Sequence, residues 1–568
     1  MAMLLSAGML HVACAQKKGG KGTLEKFYAE LRGQSGARVD SVFYTGCDFG
    51  KVPGGFAWQR GNGEGWTKGC RIALKNAGGG LEKEARKLFE SLREQQSVSF
   101  RDHYAGTVFD PQNVYFGYQV EEDGTFYFIR AWSEGEMCIP FQWISLDKVD
   151  ATLKPEPSFL NNFSEGQLRS LALSRLWAEV KRNFVFMDRV QVNWDSLYLA
   201  TLPEVQAAGS REDVTRILQR MVAQLHDGHT YVWGNMRVAF VPIDARWLDG
   251  RLYVDNVRSR LLREAGVKRG MELTAINGLG IREYAERHVM PYIPSSTSQW
   301  SEYVAYEEGE IFRFHPGDTV RMTLEVRGKS LEVTYEAGCE DEVESRKRLA
   351  GLKLSHLGHG MMLLRIGSFA DGSMREEFDR MMPEILKAKG LVIDIRGNGG
   401  GNSGNSEYIL RHFSESPVKS SSWESSVYIP AYRSWGRESK WHKVEGTLMQ
   451  PITNHGTYLN PVALLVDAGT FSAAEDFTAM FLGMRRGAIV GMPTGGSTGN
   501  GVRVDLLPGV WGANICSKHD VAPDGTEFVG IGLQPTLRVS DTYDSYFTKG
   551  KDNALQAAVK WLQEQLQD

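Results

Sequence analysis

Beyond its first fifteen residues the 568-residue sequence lacks any apolar run of about 18, the length a membrane-spanning helix needs. No membrane span is therefore expected. It also lacks a block of lysine and arginine: both signs are interspersed and the net charge is −4, so nucleic acid is not an expected partner. Cysteine is scarce, and no C-x-x-C pair occurs. Past the leader, Cys47, Cys70, Cys138, Cys339 and Cys516 are too scattered for a disulfide framework or a zinc site. A Cys47–Cys70 bridge suits only an oxidising compartment. His226-x-x-His229 has neither an H-E-x-x-H context nor a third ligand, so neither metal nor cofactor is expected.

What is present describes a folded chain: 42% hydrophobic residues, 24% charged and 14 tryptophans. The length asks for about three or four domains. Residues 1–15, "MAMLLSAGMLHVACA", read as an apolar leader ending in an A-x-A site, with Gln16 as the mature start. A basic n-region is missing, so a start upstream of Met1 fits too. A lipobox at Cys14 is the runner-up, and a buried N-terminal helix the plain alternative. The expected location is export to the periplasm or cell envelope, with secreted and lipid-anchored forms open.

Residues 16–160 mix a charged helix (81–95) with a hairpin, "NVYFGYQV-EEDG-TFYFIRAW" (113–132), and form an accessory α+β domain. "ATLKPEPSFLNNFSEG" is a linker. Residues 161–235 carry helical spacing, and 236–340 change to short strands and turns. From 341 to 568 strands and helices alternate, predicting a mostly parallel α/β sheet with functional loops at strand C-termini. Ser373 and Glu376 suggest a capping box on one of its helices.

Three stretches carry chemistry. Ser472, in "GTFSAAEDF", lies where an apolar strand becomes a helix, so it is either a plain N-cap or a nucleophile. The "GNGGG" loop lets backbone N–H groups turn toward a ligand. Its "GGGNSG" also fits a dinucleotide fingerprint, without a clear acidic ribose partner. "GGSTG" matches a nucleophile-elbow pattern, but a strand follows where a helix is needed, so Ser497 is rejected as nucleophile. His229 and His519 compete as base candidates.

In order, "LHDGHT", "AGVKRGMELTAINGLGI", "LVIDIRGNGGG", "GTFSAAEDF" and "GTEFVGIGLQP" resemble the S41 peptidases, over roughly residues 164–540. That family includes the tail-specific and the tricorn-like proteases. The resemblance implies a ClpP/crotonase-like sheet-and-helix core with an inserted PDZ-like β domain at 236–340. It implies Ser472 as nucleophile, and N–H groups of Gly399 or Gly400 with Ala473 as the oxyanion hole. The tail-specific lysine, about 25 positions on, is replaced by Ser497, and the next lysine is Lys518. His229 matches the tricorn-like base instead, with Glu527 as the orienting acid and Asp524 second. Two departures stand out: Gly228 where tricorn-like members often have serine, and Pro535-Thr536 where the family has Pro-Asp. The implied function is an exported serine endopeptidase for peptides or unfolded proteins. The rival is an S41-fold binding protein for peptides or apolar ligands that has lost catalysis.

Overall fold

The computed structural model describes nine strands between residues 38 and 145, and then residues 162–567 apart from 347–350 and 439. Residues 1–159 and 160–568 are two compact units. In the first, six antiparallel strands form one sheet and three another. The expected hairpin is there, running from the pair Asn113–Trp132 to Gln119–Phe126. The leader, Cys47, the 81–95 helix and most of the linker lie outside the described residues.

The second unit opens with helix Glu165–Asn183, started by a capping box in which Ser164 and Gln167 bond reciprocally. Helix Arg211–Ala223 follows, capped by Ser210. Its Val214, Leu218, Met221 and Val222 sit at i, i+4, i+7 and i+8, one apolar face that is fully buried. That face packs with Leu173, Leu176 and Val180 onto residues from the far end of the chain, Leu506, Trp511, Ala513 and Ile515. Those residues belong to a three-stranded antiparallel sheet, Tyr231–Gly234, Trp511–Cys516 and Gly501–Leu507. The strand following His229 is thereby fixed to a strand nearly three hundred residues later.

Residues 239–337 build their own core around an antiparallel sheet with edge strands Ile243–Leu248 and Lys329–Glu336. This insert carries a strap, residues 295–303, that leaves its core and reaches the parallel-sheet region, where Thr297 donates to the Gly495 carbonyl and Gln299 to those of Thr494 and Ile531.

The core sheet is mostly parallel, as the alternation of elements predicts. Met361–Ile366, Gly390–Asp394, Val462–Val466, Gly487–Gly491 and Leu537–Arg538 run parallel, and Leu352–Gly358 is an antiparallel edge. Side chains alternate between two buried faces. Leu391, Ile393, Leu464 and Val466 pack under helices Met374–Ile385, Ser403–Leu410 and Ala473–Met484. Val392, Ala463 and Leu465 meet helix Asn553–Gln565 on the other side. The Ser373 capping box does not form: Ser373 is itself helical in backbone, and its hydroxyl donates to Asp371 Oδ1 at 2.8 Å.

Candidate active site

Two loops leave the C-terminal ends of neighbouring core strands and are stitched together. Asp467 Oδ1 accepts the amides of Gly397 (2.8 Å) and Gly469 (3.0 Å), while Thr470 Oγ1 donates to the Ile395 carbonyl at 3.1 Å. Phe471 N–H donates to the Asn398 carbonyl at 3.0 Å. Ser472 follows at φ 56°, ψ −124°, a left-handed, strained backbone for a non-glycine residue. It begins helix Ala473–Met484 without a side-chain cap bond. The hydroxyl is therefore not spent on its own helix.

Instead Ser472 Oγ lies 3.0 Å from His229 Nε2. His229 comes from the turn between helix Arg211–Ala223 and strand Tyr231–Gly234, and three fixtures hold that turn. Asn514 Nδ2 donates to the His229 carbonyl (2.6 Å), Gly228 N–H to Ser296 Oγ (3.0 Å) and Thr230 Oγ1 to Asp227 Oδ2 (2.6 Å). The imidazole stacks on Phe471 at 4.8 Å and 7°, and Trp300 of the strap stacks on the other side of Phe471 at 3.9 Å. This apolar wall desolvates the ring, and Lys518 adds like charge, so His229 is pushed down to about 4 from its ordinary 6.5. The imidazole is neutral at neutral pH. Burial opposes the charge on Lys518 itself, yet Asp520 (2.9 Å) and Asp476 hold it above the usual lysine range.

Among the described residues no carboxylate hydrogen-bonds to the His229 ring. Its Nδ1 faces Ser497 Oγ at 2.9 Å. Glu527, expected to orient His229, is bound elsewhere: its Oε2 is 2.7 Å from His519 Nε2, and His519 Nδ1 faces Glu424 at 3.3 Å. The same contacts occupy both nitrogens of His519, the rival base. Asp524, the second choice, accepts the Thr526 amide. Ser497 lies at the position where the tail-specific branch has lysine, which was the one signal in the sequence that could have pointed to it.

The glycine loop packs directly on Ser472. A Cβ on Gly400 (φ 98°) would come within 2.7 Å of Ser472 Cβ and 2.9 Å of Ala473 N. The three expected oxyanion donors are not equivalent. Gly400 N–H is taken by Asn398 Oδ1 at 2.9 Å, so it is not free to donate to a substrate. The amides of Gly399 and Ala473 have no partner among the described residues. Ala473 stands at the helix N-terminus, where the dipole favours negative charge. The Gly228 departure also has a physical cause: a Cβ there would meet Phe471 Cζ at 2.9 Å and Ser497 Oγ at 3.0 Å.

Comparison with known proteins fits this geometry. The profile of Peptidase family S41 matches residues 360–539. A relative is the carboxy-terminal processing protease CtpB of Bacillus subtilis (strain 168), 23% identical over 312 residues. The match covers 53% of this chain and 55% of that protein, so the chain spans about half the length of the curated relative it matches. Among solved structures, mature CPAF aligns with TM-score 0.58 at 16% identity, over 71% of this chain and 98% of that one. The s499a mutant of the same protein aligns at 0.55 and 14%, over 69% and 98%. At these identities the structural likeness shows the fold. Over residues 360–539 the chain is thus similar to the domain of peptidase family S41.

Proposed function

We propose that the protein is an exported serine endopeptidase that cleaves peptides or unfolded proteins through an acyl-enzyme. The observation that carries this reading is the 3.0 Å approach of His229 Nε2 to Ser472 Oγ, with Ser472 on a strained turn. As Ser472 Oγ bonds to the substrate carbonyl carbon, its proton passes to Nε2. The carbonyl oxygen becomes an oxyanion beside the free amides of Gly399 and Ala473. Collapse breaks the C–N bond, and the departing amine takes the proton from Nε2. Water then repeats the sequence with His229 as base, releasing the acid and restoring Ser472. Export rests on the leader alone; among the described residues no helix is long and apolar enough to cross a membrane.

The insert is read as the PDZ-like domain, a place to capture peptide ends by strand addition. Its edge strand Ile243–Leu248 is partly occupied, since Trp247 N–H donates to Glu307 Oε1 at 3.3 Å. A peptide adding there displaces that carboxylate.

The test is mass-spectrometric digestion of unfolded casein and a mixed peptide library in EDTA, comparing wild type with Ser472→Ala and His229→Ala. Cleavage by wild type alone supports the reading. Full cleavage by Ser472→Ala removes it. No cleavage by any, with apolar or peptide ligands raising Tm, selects the binding protein.

A further inference from the structure

Resting on the assignment of His229 as base, we propose that Ser497 is the residue that orients its imidazole, taking the place of the triad carboxylate, and that Glu475 anchors Ser497 for this task. A base in this position needs its Nε2 lone pair toward Ser472, which requires the proton on Nδ1. The partner at Nδ1 is Ser497 Oγ, 2.9 Å away and fully buried. When His229 takes the Ser472 proton both ring nitrogens become donors, and Ser497 Oγ is the one acceptor at Nδ1 among the described residues. The nearby carboxylates make other contacts: Asp227 accepts from Thr230 through Oδ2, its Oδ1 having no hydrogen-bond partner among the described residues, Glu527 faces His519, and Asp520 holds Lys518 and Thr498.

Ser497 is held as a catalytic neighbour needs to be held. Glu475, fully buried, accepts the Ser497 amide at 2.7 Å, the Gly496 amide at 2.8 Å and Thr494 Oγ1 at 2.5 Å. The Ser497 carbonyl accepts the Ser472 amide at 3.2 Å. Glu475 stands three residues after Ser472 on the same helix, so nucleophile, anchor and orienter move as one body. Space for the hydroxyl exists because residue 228 is glycine: a Cβ there would stand 3.0 Å from Ser497 Oγ. The serine missing before His229 is thus supplied from 268 residues downstream.

A hydroxyl differs from a carboxylate in carrying no charge. It can position the ring and accept from the imidazolium, but it does not pull the His229 proton affinity upward. The charged and titratable groups around the ring are Lys518, which repels its proton, Asp227 on its own turn, and Glu475 behind Ser497, with Asp476 and Asp520 paired to Lys518.

The test compares Ser497→Ala, Ser497→Asp and Glu475→Gln with wild type in peptide hydrolysis from pH 3.5 to 8, with Tm measured alongside. Ser497→Ala is expected to lower kcat about ten- to a hundredfold with KM nearly unchanged. Ser497→Asp is expected to move the acid limb of kcat/KM upward by more than one pH unit, because a carboxylate at Nδ1 favours imidazolium. Glu475→Gln should show the kcat loss of Ser497→Ala without that displacement. If Ser497→Asp fails to fold, 15N shifts of the His229 ring in wild type and Ser497→Ala decide the matter: Nδ1–H alone in wild type, both tautomers in the variant. Full kcat in Ser497→Ala while His229→Ala is dead overturns the orienting role alone. Full activity in His229→Ala overturns the base assignment with it.

Discussion

An imidazole that stays neutral well into the acid range follows from the wall around His229. Burial against Phe471, with Lys518 nearby, pushes the ring down to about 4, whereas an unfolded chain holds it near 6.5. Lowering the pH from 6.5 to about 4 protonates the unfolded chain first. Stability attributable to this group is therefore fully present above about 6.5, falls through that window, and is lost below about 4. At ~1.4 kcal/mol per pH unit the whole loss is about 3 kcal/mol. Two measurements check this. kcat/KM on a fluorogenic peptide should hold a histidine-dependent plateau down to about pH 5 and fall to half near 4. Lys518→Met should move that limb upward, since it removes a positive charge and leaves Asp520 behind. Two buried carboxyls titrate nearby, Glu475 pushed up to about 7 and Asp227 to about 6, both by desolvation. A limb near 7 that vanishes in Glu475→Gln belongs to the anchor. A limb between 6 and 7 that moves in Lys518→Met and survives in Glu475→Gln refutes the desolvation argument.

Other perturbations test the same architecture. Gly400→Ala forces a Cβ to 2.7 Å from Ser472 Cβ at a φ of 98°, and should cost about 2–5 kcal/mol of stability in urea unfolding with activity lost. Trp300→Ala removes the outer ring of the Trp300–Phe471–His229 stack; kcat should fall more than Tm implies, read in parallel kinetics and calorimetry. Arg396→Leu leaves Asp394 (5% exposed) with Arg365 alone and Asp552 without Arg396, and should lower unfolding free energy by about 3 kcal/mol.

The parallel sheet and its loops were legible because apolar runs such as "LVIDI" and "VALLV" end abruptly in glycine and polar residues, and a helical period follows. Ser472 was legible as a candidate on the same grounds, and its pairing with His229 through the family order of motifs, since no local spacing links residues 243 apart. What stayed hidden depends on which side chain turns which way. Three consecutive glycines offer three amides, and only the Asn398 side chain decides that Gly400 is taken. Glu527 is a carboxylate of suitable type in a suitable motif, but nothing in sequence tells whether His229 or His519 receives it. Ser497 was rejected as nucleophile because a strand follows it, and Gly501–Leu507 is that strand. A residue rejected for one role can still hold another, and orientation of a ring leaves no periodic trace.

The distance in chain between His229 and Ser472 also governs when the two can meet. His229 is fixed by Asn514 and faced by Ser497, and the strand beside it pairs with Trp511–Cys516. A nascent chain that has emerged only as far as the glycine loop holds His229 without Ser472. One that has reached Ser472 still lacks the segment that fixes His229. Contacts of such long sequence separation form late because their loop entropy must first be met. The Ser472–His229 pair therefore assembles only after Trp511–Cys516 has been made, and it is the first arrangement lost when that segment lets go.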